Sequence, residues 1–296
     1  MDITCEWALP AILGEGPIWV ENEQAIYFVD IVSQQVHRYR ITDGNTHTWT
    51  FDPAITSLAP RAQGGFIATV RKGFAYVDFA TESVTPIQYF EEDLPGNRFN
   101  DGKLDAAGRF WSGTMDEAEK SATGVLYRLD PDLAIHEMDH DYIITNGPAF
   151  SPDGQTMYHN DTIKREIYAF DLAGNGSLLN KRVLYRLHGE EGYPDGLTVD
   201  ADGNLWQCSF GGSRITQISP QGEVLQIIHM PVPNITSCTF GGPNLDTLYV
   251  TTAQYLLSDE QLEEFPLAGS LFSFKPGVQG LPTPLFAQSS PLDKIS

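Results

Sequence analysis

Positive charge is scarce in this sequence: 18 lysines and arginines stand against 39 aspartates and glutamates, a formal net charge of −21. A field of that sign repels phosphate backbones and anionic headgroups, so it argues against nucleic-acid and membrane partners and suits cation binding. Cysteine is scarce too. Cys5, Cys208 and Cys238 are odd in number and form no CxxC pair, so free thiols in a reducing compartment, the cytoplasm, are expected. No apolar run approaches the ~18 residues of a membrane span. The opening residues lack the basic and apolar regions of a secretory leader. Helical periodicity is nearly absent; residues 258–265 are the best candidate for a helix. Nucleophile motifs are missing as well: there is no G-x-S-x-G elbow, and the seven histidines contain no H-E-x-x-H or paired metal spacing.

What is present is β-structure. Hydrophobic residues make up 41% of the 296 positions and aromatics 11%, enough to bury a sizeable core. Short alternating runs are punctuated by turn pairs, Asp-Gly at 43, 153 and 202 and Gly-Gly at 64 and 241. Units with this grammar are anchored at Glu15, Ser57, Asn100, Asn146, Asp195 and Ser237, at steps of 42, 43, 46, 49 and 42 residues. That is the length of a four-stranded propeller blade. The expected fold is therefore all-β, a six-bladed β-propeller with four-stranded blades, filling residues 1–296 as one domain. A β-sandwich shows no such period. The run 3–9, ahead of the first unit, is placed to close the ring against the last blade.

In a propeller the first strand of each blade lines the central channel, so equivalent positions form a ring although they are far apart in sequence. Here the ring reads Glu15, Ser57, Asn100 or Asp101, Asn146, Asp195, and Thr236 or Ser237. Ser57 and Ser237 read as ordinary hydrogen-bonding residues, and Asp153 and Asp202 as turns at the far end of the blades. Glu15, Asn146 and Asp195 differ, because all three precede Gly-Pro or Gly-Leu at one repeat position. Confined carboxylates are costly unless paired or metal-bound. With amide oxygens between them and no Lys or Arg at matching positions, they form an oxygen-rich set that suits a hard cation. The residue pattern by itself leaves a cation site and a hydrogen-bonded polar ring equally open.

The segments LGEGPIW (13–19), RFNDGKLDAAGRFWSGTMD (98–116), ITNGPAFSPDG (144–154) and YPDGLTVDADGNLW (193–206) resemble the family of senescence marker protein 30 (regucalcin) and the gluconolactonases. YHNDT (158–162) and PNITSCTFGGPNLDTLYVTTA (233–253) look closest to bacterial sugar-acid lactonases such as xylonolactonase. The resemblance implies hydrolysis of a sugar aldonolactone; the chain itself is expected to be a monomer or weak homo-oligomer. It implies that Glu15, Asn146 and Asp195 hold one divalent ion (Ca²⁺, Zn²⁺, Mn²⁺ or Fe²⁺ among relatives), and that Arg98 and Asn100 contact the lactone. The CSFGGSRITQIS stretch (208–219) departs from the family pattern, which leaves the choice of sugar open.

In that chemistry a divalent ion polarises the ester carbonyl and acidifies water, and Asp195 is the expected general base. Whether water or Asp195 attacks the carbonyl stays open. Asp30, Asp116 and Asp161 recur at the ends of second strands and are expected to cap the upper loops. His159 is expected in a structural or supporting role behind the site. Segment 116–123 reads equally as a lid or as a solvated loop. Alternative readings are a non-enzymatic calcium-binding propeller, an organophosphate hydrolase, and a lactonase for a sulfonated sugar acid. In the last, Lys164, Arg165 or Arg214 would supply the extra cation.

Overall fold

A computed structural model describes residues 2–288. Its strands form six antiparallel sheets of four, spanning 14–50, 55–89, 97–142, 145–186, 193–229 and 235–274. Five sheets run in simple chain order from inner to outer strand. In the sixth, the outermost strand is the N-terminal Thr4–Trp7, which pairs antiparallel with Leu271–Phe274. The six-bladed propeller is thus borne out, and so is closure of the ring by the first residues of the chain. A short helix, Asp259–Glu264, falls where the sequence places one; the Ser258 side chain caps Gln261 N. Among the described residues no helix is long and apolar enough to cross a membrane, and the three cysteines are free.

Each blade grades from buried to wet, as its alternation demands. The inner strands Gly14–Val20 and Thr145–Phe150 are buried throughout, whereas the outer strands Thr46–Thr50 and Leu178–Arg186 are mostly exposed. The core is divided into six apolar clusters, one at each junction between neighbouring blades. The last of these packs Trp19, Ile26 and Phe28 of the first blade against Tyr249 and Leu271 of the sixth. A sheet with two such faces cannot bury both alone, so the ring must close.

Two blades share a further device. Asp105 and Asp200 end inner strands, and each accepts a hydrogen bond from a tryptophan Nε1 six residues on, Trp111 and Trp206, at 2.9 Å in both cases. Their other carboxylate oxygens accept turn amides, from Ala107 and Arg109 in one blade and Asp202 and Asn204 in the other. Asp153 and Asp202 lie in turns at this lower end, as expected. The stretch 279–286, which the repeat does not anticipate, crosses the lower end. Ala201 N donates to Gln279 O, and Phe286, fully buried, pairs its backbone with Pro60 and Ala62.

Every inner strand carries a register irregularity near its start: Glu15/Ile18, Ile55/Ser57, Phe99/Gly102, Asn146/Ala149, Pro194/Leu197 and Ile235/Ser237. A bulge re-aims side chains, and here it occurs where the repeats turn polar. It also explains the glycines that follow. Gly147 takes φ +78, open to glycine at no steric cost. Gly196 faces its neighbour so closely that a Cβ there would lie 2.1 Å from Ser237 Oγ.

Candidate functional site

At the upper end of the channel the inner strands bring Glu15, Arg98, Asn100, Asn146 and Asp195 around one cavity of ≈ 260 Å³. All five residues singled out by sequence therefore meet, from four different blades. Glu15, Asn146 and Asp195 are 5%, 3% and 5% exposed, so these polar groups have left bulk water. Glu15 accepts Gly16 N at 2.9 Å and its carboxyl faces that of Asp195. Burial, then the nearby Asp101 charge, pushes the Glu15 carboxyl up to about 8. Burial and the Glu15 charge push Asp195 well above the ordinary range. Two carboxylates in this position share a proton or hold a cation between them.

A hydrogen-bonded chain fixes the amides. Arg98 Nη1 donates to Asn100 Oδ1 at 2.7 Å, and Asn100 Nδ2 donates to Asn146 Oδ1 at 2.9 Å. Asn146 Nδ2 donates to Thr162 Oγ1, which donates to Pro194 O, both at 2.8 Å. Because Thr162 occupies the amide nitrogen, the Asn146 oxygen is turned away from it and keeps a free lone pair. Opposite Asn146 in register, Asn160 donates to Asp195 O at 2.5 Å, and its buried Oδ1 has no partner among the described residues. Among the described residues no group of three His, Cys, Asp or Glu gathers for a metal. The donor set is two carboxylates and an amide oxygen with spare acceptor capacity, and it fits a hard divalent cation.

Of the two ring alternatives in the third blade, Asn100 lines the cavity. Asp101 instead accepts Gly102 N and Gly147 N, at 2.7 and 3.1 Å. Burial raises its carboxyl to about 6 against the opposing pull of Lys103. Lys103 was not anticipated in the channel: it crosses to donate to Leu197 O at 2.8 Å. Thr162 was missed as well, although its place straight after the YHND run could have flagged it. Thr236 donates to Gly14 O and Ser57 bonds Thr69, which makes both ordinary hydrogen-bonding residues.

Asp30 and Asp116 cap upper loops as expected, accepting Ile12, Leu13 and Ser33 amides in one blade and Ala118, Lys120 and Ser121 amides in the other. Asp161 accepts Lys164 N at 3.2 Å. In the 116–123 segment Glu117 pairs with Arg71, and Glu119 reaches the cavity wall. His159 turns away from the site. It is buried edge-on to Tyr142, ring centroids 4.8 Å apart, and burial pushes its pKa down to about 3. The three cations considered for a sulfonate lie outside the cavity wall. Lys164 pairs with Asp161, Arg165 donates to Gly189 O and stacks on Tyr193, and Arg214 donates to Glu190 O.

Fold and site together define a six-bladed propeller whose channel mouth holds an acid-and-amide oxygen cluster inside a small cavity. The chain belongs to the family described as SMP-30/Gluconolactonase/LRE-like region, which it matches over residues 13–254. It is 35% identical to a 6-deoxy-6-sulfogluconolactonase of Pseudomonas putida, over 96% of this chain and 98% of that protein. It is 34% identical to the regucalcin of Xenopus laevis, covering 93% and 95%. Among solved structures, a calcium-binding regucalcin from Agrobacterium tumefaciens superposes with a TM-score of 0.90 at 26% identity, covering 95% and 96%.

Proposed function

We propose that this chain is a divalent-metal-dependent aldonolactonase, hydrolysing a sugar lactone to the free aldonic acid. The observation that carries the reading is the facing pair Glu15 and Asp195, buried beside the Asn146 amide oxygen at the base of a cavity sized for one sugar ring. Membership of the family, with a sulfogluconolactonase and regucalcins among the relatives, supports it. Glu15, Asn146 and Asp195 would hold the ion. When bound, a divalent ion supplies Lewis acidity, polarising the lactone carbonyl and lowering the pKa of an attacking water.

The rest is done by the chain. Asp195 takes the proton of the water whose oxygen bonds to the carbonyl carbon. As the tetrahedral adduct collapses and the bond from carbon to ring oxygen breaks, Asp195 returns that proton to the departing alkoxide, leaving a hydroxyl. Arg98, whose guanidinium reaches Asn100, offers its remaining donors to the ring oxygens, and Asn100 holds the Asn146 amide in place. Holding lactone and water together removes most of the entropic barrier.

A pH-indicator assay over pentono- and hexonolactones, with metals added back after chelation, tests the reading. Turnover should require a divalent ion, and Asp195→Ala should abolish it while the circular dichroism of the fold is kept. Full activity in that variant would sink the mechanism, and metal-independent turnover would sink the site.

A further inference from the structure

The polar base of the cavity is under an apolar collar. Eight of the fifteen lining residues are apolar or aromatic, and Leu13, Ile163, Tyr193, Phe210, Tyr255 and Leu256 surround the opening. Among the described residues Leu256 is the most exposed large hydrophobic one, at 71%, and Tyr193 is exposed at 37%. Leu256 also sits at φ +63, a left-handed backbone that a leucine rarely adopts. It occupies a tight turn in which Leu257 N bonds Gln254 O, while Tyr255 N bonds Ile12 O of the loop entering the first blade. No packing in the described structure accounts for a leucine held out at the rim in this conformation. Leu133 and Leu245 take the same backbone in turns away from the cavity, so it is the exposure of apolar side chains grouped at a cavity mouth that points to a ligand.

Charge points the same way. Among the described residues Arg98 is the single cation in the cavity wall, and its guanidinium already meets Asn100 and lies 3.8 Å from Glu117. Arg71, in the adjoining groove, is engaged by both Glu117 oxygens. Glu119 adds a negative group to the wall. Within the wall itself a sulfonate, phosphate or carboxylate on the distal end of a substrate would meet acid and hydrocarbon at heavy desolvation cost, and Arg165, the cation behind Tyr193, is stacked on that ring and donates to Gly189 O.

We propose that the collar selects a lactone whose substituent beyond the ring is uncharged and carries carbon-bound hydrogen where a common sugar carries hydroxyl: a deoxy or alkyl-substituted sugar lactone. This rests on the lactonase reading and specifies the substrate class for the same site. The polar ring edge faces Arg98 and Asn100 while the distal methyl or alkyl group lies against Leu256, Tyr193 and Phe210. Each methylene transferred from water to that wall favours binding by about fourfold, the equivalent of ~0.8 kcal/mol.

The test compares kcat/KM of the metal-loaded protein for three substrates: a pentono-1,4-lactone, its 5-deoxy analogue ending in methyl, and a hexonolactone sulfonated at its terminal carbon. The same comparison is made with Leu256→Asn, since asparagine suits the left-handed backbone and leaves the turn unstrained. The 5-deoxy lactone should be preferred over its parent by about three- to tenfold, with the sulfonated one poorest. In Leu256→Asn the preference of methyl over hydroxymethyl should shrink at least about threefold. An unchanged ratio in that variant, or preference for the sulfonated lactone, overturns the collar while leaving the lactonase reading intact. No turnover of any of the three with any divalent ion overturns the lactonase reading, and the collar with it.

Discussion

Replacing Asp195 by asparagine removes one carboxylate and nearly preserves shape. In the cation-free protein Glu15 titrates near 8 rather than 4.5, and Asp195 is also raised. Between those pH values the unfolded chain has released protons that the folded chain still holds. Stability therefore falls as pH rises through 4.5 to about 8, and the contribution is lost above the folded-state value. Each pH unit of separation is worth ~1.4 kcal/mol, so several kcal/mol are at stake at pH 8. A divalent ion at 100 times its Kd adds ~2.7 kcal/mol. At roughly 2 °C per kcal/mol for a chain of this size, that is a rise in Tm of ~5 °C. Thermal melts in chelator and in excess metal, from pH 5 to pH 8, should show this rise largest at pH 8 and fading towards pH 5. Asp195→Asn should lose the metal-dependent rise. It should also melt higher than the native protein in chelator at pH 8, by roughly 2–6 °C, because folding no longer has to bury a carboxyl that is either kept protonated against its ordinary pKa or left charged. A native protein whose Tm does not respond to metal, or an Asp195→Asn variant that melts lower in chelator at pH 8, would refute the reasoning.

Gly196→Ala would place a Cβ 2.1 Å from Ser237 Oγ and 2.8 Å from its Cα, a clash that a rotamer change cannot relieve. The expected loss is ~3 kcal/mol or more, read as a lower urea midpoint. Asp200→Ala strips the acceptor from Trp206 Nε1 and Gln217 Nε2, both 2.9 Å away, and should cost ~3 kcal/mol in the same assay. Asn100→Ala should lower kcat/KM for the lactone by ~10–100-fold, since it frees both Arg98 and the Asn146 amide, and should lower the urea midpoint by an amount worth ~1–3 kcal/mol, since buried Thr145 O loses its donor.

The period near 43 residues was enough to set six blades, because each blade repeats the same short-range sequence of strands and turns. The N-terminal strand was legible for a related reason: a run ahead of the first full repeat has nowhere else to pair. Positions where the repeats turn acidic were legible too, and Glu15, Asn146 and Asp195 do meet at one end of the channel. Other features depend on what crosses between blades. Thr162 was hidden because its value lies in reaching the Asn146 amide on one side and Pro194 O on the other. Lys103 reads locally as a strand lysine two residues from Asp101, and only the ring geometry brings it to Leu197 O. His159 lies one residue from Asn160, yet strand alternation sends it to the opposite face of the blade. The stretch 279–286 has no repeat partner at all, so its place across the lower end follows from tertiary contact alone.

The sequence by itself determined what is local and periodic: strand, turn, blade length and the inward polar position. Tertiary structure decided what depends on distance across the channel. It placed Glu15 against Asp195, chose Asn100 over Asp101 for the cavity wall, and spent Lys164, Arg165 and Arg214 on partners outside it. Those outcomes depend on angles between sheets far apart in the chain, and no periodicity within one sheet encodes them.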